Sequence, residues 1–205
     1  MKKPKIKVCG LASAEDTLAV YNLGIEALGF IVGGAHPSSI TLEKAEDIFK
    51  QLPEDAFTVV GVGKMEMSEL KKVIESLQPK VLQLQKMGTL KEIQELKRSF
   101  PSLIIWKVIF TGEEPDLFKI RQFENAADNV LVHTKVHQWE TAKQIVSQLE
   151  KPYILAGGLT LANIPEAVKV FQPEYIDLIR AVESEPGKKD PEKIRNLIKI
   201  VDNLA

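Results

Sequence analysis

Ile6-Lys7-Val8-Cys9, then Ser13-Ala14-Glu15-Asp16-Thr17-Leu18-Ala19-Val20, then Ala27-Leu28-Gly29-Phe30-Ile31-Val32 is the stretch that decides the fold. A short β-branched run, a capped amphipathic segment and a second apolar run make one βαβ unit, which belongs on a parallel sheet. The same alternation continues to the C-terminus. Further strands are predicted at Phe57 to Val62, Val81 to Leu84, Leu103 to Ile109, Asn129 to His133, Tyr153 to Leu155 and Tyr175 to Ile179, which brings the total to eight. Helices are predicted after Ser13, Thr41, Ser68 and Thr89, each offering a capping oxygen with acidic residues in the first turn. Four more are predicted at Glu114 to Gln122, Gln138 to Leu149, Ala162 to Phe171 and Asp190 to Leu204, the last with Pro191 at a first helical position. Stripes such as Leu90, Ile93 and Leu96, or Ile194, Leu197, Ile198 and Val201, give each helix one face to bury.

Eight strands each followed by a helix is the pattern of a (β/α)₈ barrel, the TIM barrel, and the expectation is one such domain over residues 1–205. An open doubly wound sheet uses the same units but usually fewer of them. With 205 residues the barrel is of minimal size.

Composition narrows the classes of function. Lys and Arg number 27 against 28 Asp and Glu, a net charge of −1, so no basic field marks a nucleic-acid partner. Hydrophobic residues make up 44% of the chain, enough for a large core and against disorder. No run approaches a membrane span or the apolar segment of a signal peptide, so the expectation is a cytoplasmic protein without a membrane partner. One cysteine cannot form an internal disulfide: Cys9 is either a small core residue or a reactive thiol.

In a barrel, function sits at the C-terminal ends of the strands. Alternation puts Lys7 and Cys9 on one face of the first strand and Ile6 and Val8 on the other. A lysine is hard to pack under the helix layer, so Lys7 and Cys9 are expected inside, and an ammonium there favours the Cys9 thiolate. The same reasoning turns Lys107 inward and Trp106 and Val108 outward. Gly157 and Gly158 offer backbone amides after strand 7, the usual place for a phosphate in this architecture, with Arg180 after strand 8 as a second contact; a tight turn explains the glycine pair equally well. A metal site of His36, His133 and His137 has little support, because their spacing shares no helical face and no carboxylate cluster accompanies them.

The chain resembles the phosphoribosylanthranilate isomerase family of tryptophan biosynthesis. The resemblance rests on Lys7-Val8-Cys9-Gly10-Leu11, Glu15-Asp16, Gly24, Ala27-Leu28-Gly29-Phe30, Leu82-Gln83-Leu84, Lys107, Thr134-Lys135, Gly157-Gly158-Leu159, Val182-Glu183 and Pro186-Gly187-Lys188-Lys189-Asp190, and covers essentially the whole sequence. It implies a small (β/α)₈ enzyme, monomer or homodimer, that carries out an Amadori rearrangement of a small phosphorylated substrate without metal or organic cofactor. Carried over residue by residue, Cys9 is the base that takes the C2′ proton. Lys7, Gln83 and Lys107 bind substrate, and Gly157, Gly158, Arg180 and Ala181 hold its phosphate.

The general-acid position and four functional segments depart from the family pattern. His133 stands where the family has its general-acid aspartate. Ser38 stands at an arginine that contacts the substrate anion, and the His-Gly after strand 4 reads Gln85-Lys86. The Ser-Ser-Gly after strand 8 reads Ile179-Arg180-Ala181, and a glycine-rich segment after strand 6 is missing between Lys135 and Trp139. A histidine with an ordinary pKa of about 6.5 can donate a proton near neutrality, so His133 is the expected acid. The alternative is a paralogue with altered or lost isomerase activity that binds or converts another small sugar phosphate.

Overall fold

The computed structural model of the chain describes residues 2–85, 88–112 and 116–204. Eight parallel strands form the wall: β1 (Lys5–Val8), β2 (Ala27–Val32), β3 (Thr58–Val62), β4 (Val81–Leu84), β5 (Ile104–Phe110), β6 (Asn129–His133), β7 (Tyr153–Ala156) and β8 (Tyr175–Leu178). Each pairs in parallel with its successor, and β1 pairs with both β2 and β8, which closes the sheet into a barrel. Around it lie α1 (Ala14–Asn22), α2 (Leu42–Phe49), α3 (Met67–Leu77), α4 (Leu90–Ser99), α5 (Leu117–Ala126), α6 (Trp139–Val146), α7 (Ile164–Phe171) and α8 (Pro191–Asp202). The barrel read from the sequence is therefore the fold observed.

Local chemistry explains most boundaries. Ser13, Thr41 and Thr89 accept the expected backbone hydrogen bonds at the starts of α1, α2 and α4, and Thr89 with Glu92 forms a reciprocal capping box. Asp190 caps α8 ahead of Pro191. Ser68 does not cap α3, which begins one residue earlier without a side-chain cap; its buried stripe of Leu70, Val73, Ile74 and Leu77 anchors it instead. Asp116 caps α5, whereas the expected start at Glu114 lies outside the described residues. A short antiparallel hairpin, Glu183–Glu185 with Lys188–Lys189, follows β8 and was not foreseen.

Strand alternation divides the core in two. Val8, Phe30, Val60, Leu82, Ile105, Val132 and Leu155 face outward under the helices, each such buried side chain contributing roughly 1.5–3 kcal/mol. Ala27, Val59, Val81, Trp106, Val108, Leu131, Ile154 and Tyr175 fill the interior. The Trp106 ring lies 5.5 Å from Tyr175 and 6.5 Å from Phe57, plugging the N-terminal half with bulk. Towards the C-terminal end the inward positions become small or polar: Cys9, Gly29, Gly61, Gln83, His133, Ala156 and Asp177. That change in volume and polarity locates the site.

Candidate active site

Lys7 is fully buried, which an ammonium tolerates only beside a counter-charge. Asp177 provides it: the residue lies opposite Lys7 in the β1–β8 register, and its Oδ2 accepts from Lys7 Nζ at 2.8 Å. The other carboxylate oxygen, Oδ1, is buried without a hydrogen-bond partner, and so is Gln83 Oε1 on β4. An unsatisfied buried acceptor costs about 1–3 kcal/mol, so these two atoms mark places that a ligand's donors can fill. They stand on strands four apart in a ring of eight, on opposite walls of the interior.

Cys9 follows β1 on the same inward face as Lys7, buried at 4% exposure. Its place depends on Gly29 across β2, where a Cβ would come within 2.8 Å of Cys9 Cα and Sγ. Burial pushes the thiol up, Lys7 and Lys189 pull it down, and Asp177 pushes it up again; the net direction is up. The expectation that Lys7 makes Cys9 a ready thiolate is thus corrected. Desolvation outweighs the ammonium, whose charge Asp177 largely answers.

His133 ends β6 in register with Phe110 and Ala156, so its ring faces inward, 5.1 Å from the Phe110 ring. Burial holds its pKa below the usual histidine value; Asp177 and its own backbone raise it, while Lys135 and Arg180 lower it further. The imidazole is therefore mainly neutral at pH 7. Asp177 acts on both Cys9 and His133, so one carboxylate links the two in a single electrostatic site.

The glycine pair after β7 is packed against that histidine. Gly157 has φ +82°, and a Cβ there would lie 2.3 Å from the Thr134 carbonyl oxygen and 2.7 Å from His133 Cε1. Gly158, φ +62°, lies beside Lys135 and Val136, and Asn163 ties the loop by donating to the Gly158 carbonyl at 2.9 Å. Arg180 is exposed and opens a 3₁₀ turn to Val182, with Ala181 half-buried behind it. Besides burial, its charge helps to lower the pKa of His36 in the loop after β2 and of His133 at the end of β6.

With this geometry in place, the family profile of N-(5'phosphoribosyl)anthranilate (PRA) isomerase matches residues 6–200. The chain belongs to that family. Its relatives include the N-(5'-phosphoribosyl)anthranilate isomerase of Petrotoga mobilis, 31% identical over 210 residues with 98% of each chain covered. That of Methanocella arvoryzae is 30% identical over 207 residues, covering 96% of this chain and 97% of the relative. In fold, the chain is similar to the crystal structure of phosphoribosyl anthranilate isomerase from Thermus thermophilus, with a TM-score of 0.84, 24% identity, and coverage of 98% of this chain and 100% of that one.

Several positions expected of a phosphoribosylanthranilate isomerase sit differently here. Lys107 points away from the interior, because Trp106 and Val108 are the residues that fill it. The lysine's stem runs beneath the helices and its ammonium reaches the Gln85 carbonyl at 2.8 Å, with the Phe123 ring 5.1 Å away. Burial and Lys119 bring its pKa down to about 8 against the pull of Glu92. Lys107 is thus corrected from a residue of the interior to one of the barrel's outer wall. Ser38, at the family's arginine position, is buried 3.5 Å from Glu183 Oε1. The loop after β6 is a 3₁₀ turn, Val136–Gln138, clamped by Thr111 Oγ1 donating to Gln138 Oε1 at 2.9 Å. Lys86 lies outside the described residues. His36 and His137 are exposed on separate loops, and among the described residues no group of three or more His, Cys, Asp or Glu could hold a metal.

Asp177 and Gly29 escaped the sequence reading as site residues. A signal for Asp177 was present: a carboxylate in the apolar run Tyr175 to Ile179, two residues from an end and in phase with Tyr175, has only the interior lysine to answer it. Gly29 carries no chemistry, so only the three-dimensional contact with Cys9 reveals it.

Proposed function

We propose that this protein is a phosphoribosylanthranilate isomerase, catalysing the aldose-to-ketose Amadori rearrangement of N-(5'-phosphoribosyl)anthranilate in tryptophan biosynthesis. The observation that carries this reading is the joint placement of Cys9, Asp177 and His133 around one interior, above the buried Lys7. Cys9 Sγ takes the proton from C2′. His133 gives one to the ring oxygen as the C1′–O bond breaks. Asp177 Oδ1 and Gln83 Oε1 accept from substrate hydroxyl and amine groups, which relieves the two unsatisfied acceptors. The phosphate binds at Gly157 and Gly158 with Arg180, and its negative charge beside His133 favours the imidazolium that the acid step needs.

A raised thiol and a lowered imidazole make the reactive form, thiolate with imidazolium, a minor state of the free enzyme. Its population is greatest between the two pKa values, so kcat/KM is expected to follow a bell in pH, with an acid limb below about 6.5 and a basic limb above about 8.5, the ordinary values of the two groups. A tryptophan auxotroph lacking this isomerase tests the function in cells. Growth without tryptophan supports it; failure to grow, with folded protein present at wild-type levels, overturns it and favours a paralogue acting on another sugar phosphate.

A further inference from the structure

The turn after His133, Val136–Gln138, contains no buried residue, and Val136 is 55% exposed, so apolar packing does little to fix it. From the β7 side it is bounded by Gly158, where a Cβ would lie 3.2 Å from Lys135 Cα and 3.4 Å from Val136 N. From the β5 side it meets a single buried hydroxyl. Thr111, directly after β5, has its Oγ1 2.9 Å from Gln138 Oε1, 3.2 Å from Thr134 Oγ1 and 3.3 Å from the His133 carbonyl oxygen. Its N–H donates to that same carbonyl at 3.1 Å.

A hydroxyl has one proton to give and two lone pairs to receive with. Gln138 Oε1, the nearest acceptor, takes the Thr111 proton, and the Thr111 N–H serves the His133 carbonyl. Thr134 is fully buried, its Oγ1 also within 3.1 Å of the Lys135 carbonyl oxygen, and its N–H donates to the Ala156 carbonyl at 2.8 Å. The network thus ties the ends of β5, β6 and β7 together around His133. Phe110, the residue before Thr111, stands in register with His133 and places its ring 5.1 Å from the imidazole, against which Gly157 also packs. A turn alone asks only for the N–H at position 111, which any residue but proline supplies; the hydroxyl among three partners is what calls for threonine. We propose that Thr111 is a positioning residue, whose hydroxyl ties Gln138 and Thr134 to the end of β5 and so fixes the His133 imidazole beside Phe110.

The effect on turnover rests on the reading of His133 as the acid, whereas the placement of its ring is measurable without substrate. The chain has three histidines, so the His133 ring protons are identified in the proton NMR spectrum by their loss in His133→Gln. In the wild type the Phe110 ring current displaces them. Thr111→Val keeps the side-chain volume and removes the hydroxyl. It is expected to move the His133 signals towards those of a solvated histidine, to leave His36 unmoved, and to lower kcat roughly 10²-fold with little change in KM. Thr111→Ser is expected to restore both the signals and the rate. A brace that is only structural lowers the melting temperature without moving the ring signals or separating kcat from KM. If Thr111→Val does not fold, Gln138→Met decides: it removes the nearest acceptor from a half-buried side chain and is expected to move the same signals in the same direction. His133 signals unmoved in the folded variant, or a serine variant that behaves like valine, overturn the proposal. Displaced signals with an unchanged kcat uphold the positioning role and overturn His133 as the acid instead.

Discussion

At the scale of the residue, burial sets the chemistry before any partner does. His133 is the clearest case, since its folded pKa lies below its unfolded value near 6.5. Below that value the unfolded chain binds more protons than the folded one, so stability falls as pH falls through this window. His133→Gln should therefore lose less stability than the wild type between about pH 7 and 5 in urea titrations. Parallel losses in both proteins would show that the histidine is not held neutral. The inward placement of Lys7 and Cys9 was legible from alternation, because a charge flanked by apolar neighbours fixes the phase of a strand. Lys107 misled for a related reason. It too is flanked by apolar residues, but a lysine at the middle of β5 can pass outward under the helices on its long apolar stem and still reach the Gln85 carbonyl, while Trp106 has the volume to plug the interior.

At the scale of the element, the loops at the mouth are held by close packing more than by their own turn preferences. Gly24 and Gly157 share φ +82°, but a Cβ on Gly24 meets nothing within 4 Å whereas one on Gly157 collides with the Thr134 carbonyl and the His133 ring. Gly24→Ala is expected to cost about 1 kcal/mol, the backbone penalty alone. Gly157→Ala should cost at least about 2 kcal/mol more, since backbone atoms have to move. Equal midpoints and slopes in urea for the two variants would mean that the Gly157 loop yields freely. Gly29→Ala carries the parallel expectation for Cys9: kcat should fall by roughly 10²-fold or more as the thiol is displaced, since misplacement of about 1 Å has that effect. An unchanged kcat would detach Gly29 from the site. The eight units were readable because each helix and strand carries its own period and cap. The hairpin after β8 was not, since its two short strands are fastened by a buried ion pair between Lys189 and Glu183 and by Lys189 N donating to Asp16 Oδ2 instead of by any local pattern.

At the scale of the whole molecule, the barrel combines an aromatic lower plug with a charged upper interior. The Lys7–Asp177 pair joins the two halves and closes the β1–β8 seam. Asp177→Asn leaves a fully buried ammonium without its counter-charge, and the expected loss is about 3–5 kcal/mol in urea denaturation. Replacing both partners by apolar residues of similar volume should recover most of that loss, because no charge is then left alone. If the single variant is as stable as the wild type, the pair does not hold the seam. The family's reaction scheme was legible from the blocks around Cys9 and Gly157. The electrostatic centre was not, because Asp177 lies 168 residues from Cys9 and meets it only when the sheet closes.

The most direct test is turnover of N-(5'-phosphoribosyl)anthranilate by the purified protein, alongside Cys9→Ala. The wild type is predicted to convert the substrate to its ketose isomer, and the folded Cys9→Ala variant to lose roughly 10²- to 10⁴-fold in kcat, the contribution of a positioned base. Wild-type protein that is folded and yields no ketose, or a Cys9→Ala variant that turns over at the wild-type rate, would contradict the assignment.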